Sequence, residues 1–159
     1  MTAATTVLLV ATLAAAVTDI RARRIPNALT ATTAVMAVGI HLFDGIGTEL
    51  GVVGAMAAAF VLGSFAYTAG WFGGGDVKLI AACCGLVGFP AAFPFVLDVL
   101  VAGGVLALVA AAANGRLVAL VRSTTAVAMR GTATEKTTLP YGIAIAAGSI
   151  AYALTPTLR

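Results

Sequence analysis

Two acidic residues stand where acids are costly. Asp19 closes an apolar run and opens Asp19-Ile20-Arg21-Ala22-Arg23-Arg24-Ile25-Pro26-Asn27. Asp76 follows three glycines in Gly73-Gly74-Gly75-Asp76-Val77-Lys78-Leu79. An ionisable group at the edge of an apolar segment is a functional candidate by default. Two carboxylates sharing one site split their titration: one ionises readily and the other is held protonated. Such a pair can hydrolyse a peptide bond. The ionised member takes a proton from water, while the protonated member polarises the scissile carbonyl. The glycines permit close backbone approach, so an extended peptide can pass beside the Asp76 carboxylate. Asp76 also stands at a predicted helix start, where the dipole favours its ionised form. A structural alternative makes Asp19 a counter-ion for Arg21 or Arg23 and Asp76 a helix cap. On composition alone the two readings stand equal.

Nothing else in the chain competes as machinery. His41 is predicted as an interfacial packing residue. Cys83 and Cys84 are adjacent and read as small packing residues; with one His they fall short of a zinc set, so no metal or other cofactor is expected. No Ser is paired with a basic partner. The net charge of +3, with no basic run longer than Arg23-Arg24, makes nucleic acid an unexpected partner.

The elements that must position these acids are membrane helices. The 159 residues are 61% hydrophobic and 9% charged, with a mean hydropathy of +1.08. Soluble domains carry roughly 25% charge, and a small chain cannot hide so much apolar surface. The predicted fold class is all-α, a polytopic six-transmembrane-helix bundle forming one membrane domain over residues 1–159. Its spans are 2–18, 28–43, 50–70, 77–89, 95–113 and 140–156, several of them short for a bilayer. The first lacks a basic n-region and reads as a retained helix rather than a secretory signal. Eight of the nine basic residues fall in odd-numbered loops, which the positive-inside rule makes cytoplasmic. Asp44 and Glu49 fall in the second loop, on the other side. Both termini are then outside, and both acids lie at the cytoplasmic edge.

Small residues in the spans permit close helix approach, notably Gly51, Gly54, Gly63 and Gly70 in the third and Gly103-Gly104 in the fifth. The loop 114–139 contains Arg116-LVALV-Arg122, either a short interfacial helix or an extension of the fifth span. Trp71 is predicted as an interfacial anchor, and Asp98 as a dipole-stabilised acid near an outer helix start. The same two acids would also serve a small proton-coupled transporter as a relay. A relay needs acids with pathways to both sides, and here both sit at one edge.

Asp-x-Arg-x-Arg-x-Ile-Pro-Asn after a first span resembles the type IV prepilin peptidases, or prepilin leader peptidases, in Asp19, Arg21, Arg23, Ile25, Pro26 and Asn27. Gly-x-Gly-Asp-x-Lys-Leu at 73–79 is similar to the second signature of these GxGD aspartyl membrane proteases. Leu139-Pro140-Tyr141-Gly142-Ile143-Ala144-Ile145 resembles the block that opens their last span. The resemblance implies an aspartic-type endopeptidase with Asp19 and Asp76 as its catalytic pair. Its substrate would be a pilin-like precursor with a basic leader and a hydrophobic helix, cut at the cytoplasmic face of the cell inner membrane in type IV pilus biogenesis and protein secretion. The short first loop without Cys resembles the form lacking the methyltransferase segment. That form is associated with Flp-like pili and, in archaea, with preflagellin peptidases. Supporting roles then fall to Gly73, Gly75, Asn27, Pro140, Tyr141 and Gly142. Arg24 is expected near lipid phosphates. Lys78 is expected to meet a substrate acid or a lipid phosphate, to orient Asp76, or simply to snorkel to the interface.

Overall fold

The computed structural model describes residues 2–113 and 141–155. Among them are six helices and no strand: α1 (Ala3–Ala22), α2 (Asn27–His41), α3 (Ile46–Thr68), α4 (Gly74–Val87), α5 (Ala92–Ala113) and α6 (Tyr141–Leu154). The readings for Pro140 and the loop 114–139, with its Arg116–Arg122 stretch, lie outside the described residues.

Three helices, α1, α3 and α5, are long and apolar enough to cross a membrane. The other three have 14 or 15 residues, or roughly 21–23 Å at the α-helical rise, less than a hydrocarbon core of about 30 Å. The six-span expectation is thus met in length by half of the helices. The exterior is apolar: Leu62 and Phe65 are each 69% exposed and Val101 67%. A surface of that kind belongs in lipid, and the chain is a membrane protein.

The helix ends differ from the hydropathy boundaries because caps and turns, not apolarity, set them. α1 runs on to Ala22, so Asp19 lies inside its last turn, and Arg23 closes the helix in the left-handed region with φ 48°. α3 begins four residues before the expected 50 and takes Glu49 into its first turn, where the dipole favours an acid. Gly70, expected inside the third span, lies beyond it in a turn at φ 79°. α5 starts at Ala92 and carries Pro94 in its first turn, where the missing N–H costs no hydrogen bond. Asp98 is therefore more than a turn into the helix rather than at its start.

The bundle has two halves. α4 packs between α2 and α3, and α6 packs between α1 and α5. Small residues allow both contacts. A Cβ on Gly85 of α4 would come within 2.6 Å of Met56 of α3 and 3.1 Å of Ala37 of α2. A Cβ on Gly148 of α6 would come within 2.6 Å of the Val99 backbone in α5. α4 is the most enclosed element, with Ala81 to Leu86 all buried and the Cys83 and Cys84 thiols free. Buried hydroxyls bond their own helices, Thr12 to the Leu8 carbonyl and Ser149 to the Ile145 carbonyl, each at 2.8 Å, so they need no partner across the apolar interior.

Candidate active site

At one end of the bundle the halves meet around Asp19 and Asp76. Asp19 projects from the last turn of α1 and is 8% exposed. That end of a helix has a negative dipole, unfavourable for a carboxylate. The compensation comes from α6, whose early backbone N–H groups lack helical partners. Gly142, the second residue of α6, donates its N–H to Asp19 Oδ2 at 2.8 Å. The approach requires glycine. A Cβ on Gly142 would lie 2.9 Å from Asp19 Cβ, 3.1 Å from its Oδ2 and 3.2 Å from the Ala15 carbonyl oxygen.

Asp76 sits in the first turn of α4 and is partly buried. Its Oδ2 accepts the backbone N–H of Gly73, the cap residue, at 3.0 Å. This is the acid's half of a capping box; glycine has no side chain to return the other half. The cap predicted as the structural alternative is thus present, and it holds the carboxylate in place rather than consuming both oxygens.

The Asp76 carboxylate stands within electrostatic reach of the Asp19 carboxylate and of the Tyr141 hydroxyl. Tyr141 meets Phe72 edge-on, with ring centroids 4.8 Å apart and planes at 70°. Its ring lies over Gly103 of α5, where a Cβ would come within 2.8 Å of Tyr141 Cζ. Two acids, two aromatic rings and two glycines therefore converge from α1, α4, α5, α6 and the turn before α4. A pair of carboxylates held by separate backbone donors, with aromatic rings beside them, suits acid–base work on a peptide bond.

The remaining predicted residues fall elsewhere. At Gly75 the close approach is to the α1–α2 loop: an added Cβ would lie 3.1 Å from Ile25 Cβ. Lys78 Nζ donates to Asn27 Oδ1 at 3.0 Å. It stands two residues after Asp76, on another side of α4, since positions i and i+2 do not share a helix face. Of the tasks expected of Lys78, orienting Asp76 is replaced by a bond to α2. Arg24 is exposed in the loop before α2, and Trp71 is 63% exposed. His41 is more than a packing residue. Its Nδ1 lies 3.0 Å from Asp44 Oδ2, and its Nε2 lies 3.3 Å from the Leu86 carbonyl oxygen, tying α2 to the far end of α4. Asp98 keeps an enclosed Oδ2 with no hydrogen-bond partner among the described residues.

Sequence reading gave no site role to Phe72, Gly103 or Ile25. Gly103 carries a signal as a small residue that permits close helix packing, but nothing in the spacing shows that the packed group is Tyr141.

A family model described as the type IV leader peptidase family matches residues 6–108. The matched stretch contains both Asp19 and Asp76 and stops before α6. No curated protein and no solved structure matches the chain. The match covers well over half of the 159 residues, and with it the chain belongs to the type IV leader peptidase family and is, at the level of that family, a protease.

Proposed function

We propose that this chain is a membrane-embedded aspartyl endopeptidase that removes the basic leader from Flp-like type IV prepilins. In this reading Asp19 and Asp76 are the catalytic pair. Residues 1–159 form one integral peptidase domain of six spans, with both termini outside and the acids at the cytoplasmic face of the inner membrane. The observation that carries the reading is the convergence of two carboxylates from different helices, each held by a backbone N–H at a helix start. Water placed between them would lose a proton to the ionised carboxylate as it attacks the scissile carbonyl. The protonated partner would polarise that carbonyl, and a proton would then pass to the leaving amine. Tyr141 and Phe72 would form the apolar wall beside the peptide. Gly73 and Gly142 would set the carboxylate positions.

The test is cleavage of a co-expressed prepilin-like precursor, read as a gel shift beside membrane abundance. Asp19→Asn and Asp76→Asn should each reduce cleavage to background at normal abundance. Groups that act as a unit are not additive, so the double variant should be no worse than either single one. Near-wild-type cleavage by either single variant would remove the pair from the mechanism.

A further inference from the structure

On the other side of α4 from the acids lies an open-sided groove of about 660 Å³. One wall is Ala31, Ala34 and Val38 of α2; the other is Val53, Ala57 and Phe60 of α3; Ala82 of α4 is part of the floor. The alanines create the space, because each presents only a methyl where a larger side chain would close α2 onto α3. The lining is almost wholly apolar except at one end, where the Lys78–Asn27 pair sits. Lys78 bonds there to a neutral amide, and among the described residues it forms no ion pair. α2 also starts at this end, and its first residues have no side-chain cap, which adds the positive end of a dipole.

Length and shape narrow the occupant. From Asn27 to Val38 the groove runs eleven residues along α2, roughly 16 Å at the helical rise. That is about one leaflet of a hydrocarbon core of about 30 Å. The slot is open along one side, so a chain lying in the surrounding lipid can enter it sideways. The cation at the head of an apolar, leaflet-long slot calls for an anionic head group above an acyl tail.

We infer that the groove between α2 and α3 is a binding site for one anionic phospholipid, its phosphate against Lys78 and Asn27 and an acyl chain along Ala34 and Ala57. The site shares α4 with Asp76 but faces away from it, so the lipid supports the helix that carries the acid without touching substrate. The inference needs the chain to lie in a membrane and does not need it to be a protease.

The test uses the full-length protein in detergent, delipidated and then given phosphatidylglycerol or phosphatidylcholine, with bound lipid read by native mass spectrometry. Wild type should retain one phosphatidylglycerol at least tenfold more tightly than phosphatidylcholine. Lys78→Gln should erase that preference, and Ala34→Phe, which fills the slot, should lower retention of both lipids about tenfold. Phosphatidylglycerol with a photoreactive acyl chain should crosslink to residues 30–38 and 53–60. Equal retention of the two lipids by wild type, wild-type retention in Ala34→Phe, or crosslinks spread over the exposed face of α5 would each overturn the site. So would displacement of the crosslink by a hydrophobic precursor peptide, which would make the groove a substrate dock. Because none of these readouts involves cleavage, the lipid site and the peptidase reading fail separately.

Discussion

Asp76 and Asp19 are held by the same kind of donor, reached by opposite routes. Asp76 accepts an N–H three residues away in its own chain, within one helix cap. Asp19 accepts an N–H from a residue 123 positions later, on a helix of the other end of the sequence. The first arrangement follows wherever α4 starts. The second exists only when α6 has packed between α1 and α5, which depends on glycines at the contacts. One acid is therefore a local feature and the other a product of assembly. The two carboxylates are thus both held only in the completed bundle.

The contrast breaks most visibly at Gly142. An added methyl meets Asp19 Cβ at 2.9 Å and the Ala15 carbonyl oxygen at 3.2 Å, and neither can swing aside. Overpacking of this kind costs about 1–3 kcal/mol, and displacing a reacting group by about 1 Å costs roughly 100-fold in rate. Gly142→Ala should therefore lower precursor cleavage by about 100-fold and reduce thermal stability of the purified protein. Wild-type cleavage by Gly142→Ala would mean that Asp19 does not need its grip on α6.

Gly75 comes next. A valine there adds a stiff branched side chain against Ile25, where even a Cβ arrives at 3.1 Å. Gly75→Val should lower membrane abundance and total cleavage together, by about tenfold for an overpacking cost of 1–3 kcal/mol. Adding Ile25→Ala should restore both. Normal abundance with lost cleavage would instead mean that the close approach at Gly75 serves a passing substrate, as the glycine run suggests on its own.

At Gly73 the neighbour is mobile. An added Cβ would meet Asp76 Oδ2 at 2.9 Å, and the carboxylate can rotate by a few tenths of an ångström. Scaled from a 100-fold loss per ångström, Gly73→Ala should cost roughly three- to fivefold in cleavage with unchanged abundance. A loss as large as that of Gly142→Ala would erase the distinction between the local and the assembled acid.

The legibility of the site follows the same division. Asp76 and its glycines are adjacent in sequence, so their cap is readable from spacing. The six helices are readable because charges and turn residues divide the chain into separate apolar runs. That Asp19 meets Gly142, that Tyr141 lies over Gly103 and that Lys78 turns to Asn27 are contacts across more than 35 residues, and no periodicity encodes them. Hydropathy misses the helix ends where a cap outranks it, as at Arg23 and Gly45, both at positive φ. Resemblance supplied what spacing lacks, because it joins distant blocks without describing the contact between them.

Gly74 should show the smallest effect of the series. It lies between two sensitive glycines, yet an added Cβ meets only Tyr67 Cε2, at 3.7 Å, an ordinary van der Waals distance. It is also the first residue of α4, where alanine gives up less backbone freedom than glycine. The methyl would neither touch Asp76 nor Ile25, and it would stiffen the turn that the Asp76 carboxylate caps. Gly74→Ala should therefore cleave precursor within about twofold of wild type, the change expected from a few tenths of a kcal/mol, at equal or higher thermal stability. Cleavage and melting measured together on the three alanine variants should rank Gly142, Gly73, Gly74 in falling severity. A severe loss at Gly74 would show that the whole glycine run must stay bare, and the run would then be a passage for the substrate backbone rather than a cap with one free position.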